Sequence, residues 1–146
     1  MPILVDGDNL LGTWGRQRSD AQRRLLALEL GRYGTRAGKR VITVFDGRSP
    51  GSPAFGADVH FSGAGRTADE LILELVRKQS DRRGWIVVTS DRSLGDQCRW
   101  LQARVERCDR FRGRLQEADG QGKPDRELDI EYWLEQFGGD ERSDVD

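Results

Sequence analysis

Histidine is almost absent from this chain: His60 is the only one among 146 residues. General-base catalysis by imidazole therefore has a single candidate. His60 falls in a short predicted strand between Val59 and Phe61, facing away from both, and reads as a surface or packed side chain. Cysteine is nearly as scarce. Cys98 and Cys108 can make at most one pair, lack metal-ligand spacing, and are expected to be reduced thiols. Long apolar runs are also missing. None approaches the ~20 residues of a membrane span, and no basic leader precedes a hydrophobic stretch. The expectation is a soluble, cytoplasmic protein with no membrane partner, built as one domain.

Charge, by contrast, is plentiful and unevenly placed. The net charge is −1, but residues 119–146 hold ten acidic residues against Lys123, Arg126 and Arg142, leaving +6 on residues 1–118. Arginine supplies much of that excess, at Arg77, Lys78, Arg82 and Arg83 and again at Arg104, Arg107, Arg110, Arg112 and Arg114. Such runs suit a solvated surface or a phosphate backbone.

Short apolar runs alternate with amphipathic stretches, the pattern of parallel strands joined by helices in an α/β fold. Strands are expected at 2–6, 39–47, 57–62 and 85–89, with a short one near 105–108. The spacing predicts a helix from the Ser19 and Asp20 cap to about Tyr33. A second begins at a capping box, Thr67 with Glu70, and has Leu71, Ile72, Leu75 and Val76 on its core face. A third carries Leu94, Cys98 and Leu101, which makes Cys98 a core residue. A fourth, capped by Asp109, carries Phe111, Leu115 and Ala118. A last helix at about 126–137 bears the stripe Ile130, Trp133, Leu134 and Phe137 and is expected to dock on the domain, which then spans 1–137. Residues 138–146 are expected to be a disordered acidic tail. Packing is the role expected of Trp14, Trp85, Trp100 and Trp133, with base stacking as the alternative for Trp14.

The functional signal lies at the strand ends. "ILVDGDNLLG", residues 3–12, is an apolar strand that delivers Asp6, Asp8 and Asn9 to one point; "VFDG" ends in Asp46 and "VVTSD" in Asp91. Asp69 lies in the first turn of the helix after another strand. In an open parallel sheet, ligands bind outside the carboxyl ends of the strands, so Asp6, Asp46, Asp69 and Asp91 should converge. Each also has a structural explanation as a turn residue, a helix-dipole partner or a cap. Turn chemistry alone gives no reason for an aspartate at every strand end of one sheet. Such a cluster repels itself when empty and favours a divalent cation. Carboxylates without histidine or cysteine select Mg2+ or Mn2+, which point to a phosphodiester substrate.

The ordered set "LVDGDNLLG", "VFDG", "TADELI" and "VVTSDRSL" resembles the NYN-domain ribonucleases of the PIN-like superfamily, and within them the YacP-like bacterial proteins; "DIEYWLEQF" at 129–137 is similar to their closing helix. The resemblance implies a three-layer α/β sandwich with a central, mostly parallel sheet. It also implies an Mg2+- or Mn2+-dependent endoribonuclease acting on RNA, with relatives linked to messenger RNA cleavage on or near ribosomes. Asp6, Asp69 and Asp91 match the family's metal-binding aspartates and Asn9 its positioning asparagine. Glu70 stands where some relatives carry a further acid, although the capping box also uses it. Asp8 departs from the usual "DGYN", which carries an aromatic residue there. The run Arg110, Arg112 and Arg114 is expected to face outward and hold RNA near the metal.

Two other classes fit parts of the pattern. A haloacid-dehalogenase-like phosphohydrolase would use Asp6 as nucleophile and Asp8 as acid/base. A PIN-like module that binds RNA without cutting it would not need carboxylates beside a phosphate.

Overall fold

Alternation along the strands decides the layers. The computed structural model describes residues 2–50 and 58–119. The strands are β1 (Ile3–Asp6), β2 (Val41–Phe45), β3 (Val59–Phe61), β4 (Ile86–Val88) and β5 (Arg104–Glu106). All pair in parallel, in the order β3-β2-β1-β4-β5. The helices are α1 (Gly7–Thr13), α2 (Asp20–Ala37), α3 (Ala68–Arg77), α4 (Arg92–Trp100) and α5 (Cys108–Asp119), with a 3-10 turn at Arg82–Gly84.

Leu4, Ile42, Val44 and Val87 point to one face of the sheet, where they join Ala68, Ile72, Val76, Leu94 and Cys98 of α3 and α4 in one core. Ile3, Val5, Phe45 and Val88 alternate to the other face and are equally buried, as are Leu10 and Leu11 of α1 and Leu26 and Leu30 of α2. Both faces are covered, which is why the strands read as continuous apolar runs. Asp6 and the segment after β4 lie at adjacent strand ends, where the chain order of the strands reverses.

Several local expectations change. The "GDNLLGT" stretch forms helix α1, because burial of Leu10 and Leu11 overrides the low helix propensity of Gly7 and Gly12. Helix α2 runs on to Ala37 and stops where Gly38 takes the left-handed conformation, φ 64. Helix α5 starts at Cys108, which puts Asp109 in its first turn instead of at its cap. On α3, Leu73 is buried with Ile72 and Val76, while Leu71 and Leu75 are only partly buried at the core's margin. Trp100 is 86% exposed, so packing is not its role among the described residues. At 100° per residue it is turned well away from the Leu94 and Cys98 stripe.

The chain divides into two compact units, residues 1–112 and 113–146. Of the second, the described part is the helical stretch 113–119. The docking helix expected at 126–137 and the tail at 138–146 lie outside the described residues.

Gly7 follows Asp6 directly, and a Cβ there would lie 2.4 Å from Phe45 Cε1 on a ring that is fully buried. Gly7→Ala should cost about 1–3 kcal/mol, read as a lower urea midpoint at unchanged m. A Cβ at Gly31, inside α2, meets nothing within 4 Å, so Gly31→Ala should stabilise by roughly 0.5–1 kcal/mol.

Candidate acidic active site

Asp6 ends β1 and stands at the N-cap of α1, yet its carboxylate makes no capping hydrogen bond. It turns instead toward β4, where its Oδ2 accepts from Thr89 Oγ1 at 3.0 Å. Only 4% of the residue is exposed. Burial, reinforced by the charges of Asp69, Asp46 and Asp8 and opposed by the Thr89 hydrogen bond, raises its carboxyl from the ordinary 3.8 to about 7. No cation pairs with it among the described residues.

Asp8 sits in the first turn of the same helix, 2% exposed, and has the opposite circumstances. Arg23 of α2 grips both its oxygens, Nε to Oδ1 and Nη2 to Oδ2, each at 2.9 Å. Its Oδ2 also accepts the Asp46 N–H at 2.8 Å. The charge that the sequence places beside the site is therefore matched internally. A carboxylate held this way is poorly suited to act as the acid/base of a phosphohydrolase. Asp46, held by that contact, is exposed at the end of β2, and its Oδ1 accepts the N–H of Ala68 at 2.6 Å, at the start of α3.

Asp69 follows in the first turn of α3, half-buried. Burial first, then the charges of Asp91, Asp46 and Glu70, raise its carboxyl above the usual range. Glu70 is exposed beyond Thr67: the Thr67 side chain accepts the Glu70 N–H at 3.2 Å, and its hydroxyl lies 3.4 Å from Glu70 Oε1. Asp91 is half-buried and caps α4, its Oδ1 accepting from Leu94 N at 3.0 Å.

Asn9 is the hub on the β4 side. Its Oδ1 accepts from Ser90 N at 2.7 Å and from Cys108 Sγ at 3.2 Å, and Thr89 Oγ1 lies 3.4 Å away. Ser90 Oγ in turn accepts the Cys108 N–H at 2.9 Å, which seats the start of α5 against the site. Because the backbone N–H of Ser90 requires an acceptor, the amide is oriented with Oδ1 inward, and Nδ2 keeps its two hydrogens for other partners. Burial raises the Cys108 thiol and keeps it a donor.

Asp6, Asp46, Asp69 and Asp91 thus share one electrostatic environment. No three acidic, histidine or cysteine side chains among the described residues stand close enough together to enclose an ion. Mg2+ keeps most of its waters and takes only one or two protein carboxylates, so an open set of hard oxygen donors suits it better than a cage. A cavity of about 420 Å3 between α2 and the starts of β2 and β3, lined by Leu30, Gly34, Val41 and Thr43, includes none of these carboxylates.

The arginine run does not form one outward face. Steps of two residues suit a strand, whereas on a helix they place Arg112 across the Phe111 stripe from Arg110 and Arg114. Arg110 is exposed. Arg112 is half-buried, donates to Thr13 O at 3.2 Å and lies 5.8 Å from the Trp14 ring centroid, with Arg16 at 4.8 Å. Arg114 is half-buried. Sequence reasoning missed Arg23 and Cys108; the only signal for Arg23 was the unusual acid at position 8, and Cys108 had none.

The all-parallel α/β sheet carries Asp6 and Asn9 at its acidic edge, and the YacP-like NYN domain it matches is a PIN-like ribonuclease fold. The model of the YacP-like NYN domain matches residues 3–129, and the chain belongs to that family. Solved structures similar to it include two of one protein. Over 94% of this chain and 83% of the other, it is 23% identical to a tryptophan-to-leucine mutant of Rae1 (YacP) from Bacillus subtilis, with a TM-score of 0.68. Over 99% and 97%, it is 22% identical to Rae1 (YacP) from Bacillus subtilis, with a TM-score of 0.61. No curated protein matches the chain. No described helix is long and apolar enough to cross a membrane.

The Asp6 carboxyl makes a prediction about the metal-free chain. An unfolded aspartate titrates near 3.8 and this one near 7, so between those values the folded chain holds a proton that the unfolded chain has lost. Stability then falls as pH rises through that window, by up to roughly 4 kcal/mol at about 1.4 kcal/mol per pH unit. Urea unfolding in chelator at pH 4 and pH 8 should show the loss. Asp6→Asn should flatten it, and millimolar Mg2+ or Mn2+ should restore stability at pH 8 in the parent only.

Proposed function

We propose that the chain is a metal-dependent endoribonuclease whose catalytic residues are Asp6, Asn9, Asp69 and Asp91. The observation that carries this reading is Asp6: a buried carboxylate at a helix N-cap that neither caps the helix nor meets a cation, beside other carboxylates that repel it. Ordinary turn chemistry does not maintain such a group. Of Asp6, Asp69 and Asp91, one or two would hold Mg2+ or Mn2+ directly and the rest through its waters, with Asp46 and Glu70 as outer contributors, since both already serve the start of α3. The ion supplies Lewis-acid stabilisation of charge on a phosphodiester.

The remaining roles belong to the chain. Thr89 orients Asp6 and accepts the Asp91 N–H at 3.1 Å, so one hydroxyl holds the Asp6 carboxylate and the Asp91 backbone. Asn9 Nδ2 is the donor available to a non-bridging phosphate oxygen. Arg110, exposed on the first turn of α5, is the member of the arginine run best placed to meet RNA; Arg112 acts through Trp14 and the end of α1. The substrate class we assign is single-stranded RNA, messenger RNA included, cut in the cytoplasm. Ribosomes carrying a message are expected to raise the rate.

The test is cleavage of labelled single-stranded and structured RNAs with Mn2+, with Mg2+ and with chelator. Internal cuts should require the metal and vanish in Asp6→Asn. Asp91→Asn retains an N-cap side chain, so it should fold normally, bind RNA at least as well and fail to cut. Asn9→Ala should lower the rate by roughly 10–100-fold. RNA bound but never cut by the parent under any of these conditions would instead identify a binding module.

A further inference from the structure

In an all-parallel sheet the strand starts share the edge opposite the carboxylates, and here that edge is basic. Backbone hydrogen bonds define its row: Ile3 N–H to Arg40 O at 2.9 Å, Ile86 N–H to Pro2 O at 3.0 Å and Arg104 N–H to Trp85 O at 3.0 Å. The 3-10 turn Arg82–Gly84 leads into β4 and contacts β5. Arg82 Nη2 donates to Arg77 O at 2.9 Å, at the C-terminal end of α3. Arg77, Lys78, Arg82, Arg83 and Arg104 are thereby gathered at one corner.

Four of these five cations are exposed, and Arg82 is half-buried. Lys78 pairs with Glu74 at 3.1 Å. Arg77, Arg83 and Arg104 have no carboxylate partner among the described residues. The nearest acid in the stretch, Asp81, lies against Gly84.

The same corner holds Trp100. It ends α4 at 86% exposure, on a turn that folds straight back into β5, with Ala103 N–H donating to Cys98 O at 3.0 Å. Within that turn Gln102 takes φ 71 and its N–H donates to Arg99 O at 2.8 Å, the left-handed closure that ends α4 just after Trp100. An indole this exposed, beside arginines without a carboxylate partner among the described residues, is suited to a ligand with both apolar and anionic parts. Cations exclude a basic one. A flat aromatic surface among cations fits a polyanion that carries planar apolar groups.

We propose that this corner is a second RNA-contact surface, separate from the catalytic edge: Trp100 stacks on an unpaired base while Arg77, Arg83 and Arg104 hold the flanking phosphates. The two edges are separated by the length of a strand, roughly 10–15 Å at ~3.3 Å per residue, so the corner anchors a longer RNA without touching the scissile bond. This rests on the reading that the chain acts on RNA.

The experiment uses the full chain in the non-cleaving Asp91→Asn background, with fluorescence anisotropy of a labelled 20-nucleotide single-stranded RNA over a range of salt. Trp100→Ala should weaken binding about tenfold and leave the salt dependence unchanged. Arg83→Glu with Arg104→Glu should weaken binding and lower the slope of log affinity against log salt by ~0.7 per lost phosphate contact. All three positions are on the surface, and circular dichroism should show unchanged folding. In the chain with Asp91 intact, a short oligoribonucleotide should be cut equally fast with or without Trp100→Ala. Failure to cut it at all would count against the nuclease reading alone, because anisotropy still reports on the corner. Unchanged affinity and salt slope in both variants would overturn the proposal. So would a shift in sedimentation mass with unchanged RNA affinity, which would make the corner a protein interface.

Discussion

The carboxylate of Asp8 accepts three hydrogen bonds, two from the Arg23 guanidinium and one from the backbone of Asp46. Through them it ties the first turn of α1, the start of α2 and the end of β2 into one rigid unit. The guanidinium also lies 5.5 Å from the centroid of Phe45, the ring that Gly7 must clear. Because Asp46 then accepts the Ala68 N–H, the same contact sets where α3 begins, and so where Asp69 stands. Bidentate, charge-assisted pairs of this kind are directional as well as strong, and losing one partner of such a buried pair typically costs about 3–5 kcal/mol. An acid buried at position 8 is compatible with the fold because Arg23 is there to meet it.

Two aspartates separated by one residue thus have opposite fates. Asp8 is satisfied and structural; Asp6 is buried with a hydroxyl for company and, among the described residues, no cation. Around Asp6, the polar groups that could have neutralised it are used to hold one another: Asn9 receives Ser90 and Cys108, and Ser90 receives the backbone of Cys108. The network is well satisfied, and what it surrounds is a deficit of positive charge. That is the arrangement in which a divalent ion gains most by binding, since it relieves repulsion already built into the fold.

Topology sorts the remaining charge. Parallel strands place every carboxyl end on one edge and every start on the other, so a sequence that puts aspartates after strands and arginines before them makes a molecule with an acidic edge and a basic one. The near-zero net charge conceals this separation. On the function and second contact surface proposed above, RNA would be drawn by the basic edge and admitted at the acidic one with a cation, which would separate holding the chain from cutting it.

Much of this was legible in the residues. The alternation of apolar runs and amphipathic stretches defined an α/β fold with parallel strands, because burial on both faces leaves a mark that single positions cannot hide. Asp6, Asn9, Asp69 and Asp91 stood out because each follows a strand or opens a helix, and local pattern alone locates such ends. What the sequence could not settle was which acids are free and which are used. Asp6 and Asp8 look alike on paper; Arg23, fifteen residues beyond Asp8, decides between them. The run Arg110, Arg112 and Arg114 looks like one patch until helix geometry divides it, and nothing in the sequence marks Cys108 until α5 seats it on Asn9. Composition and periodicity determine the elements, since those depend on neighbours along the chain. The tertiary structure decides partnership, since a carboxylate's charge is settled by whatever the fold brings within about 3 Å of it.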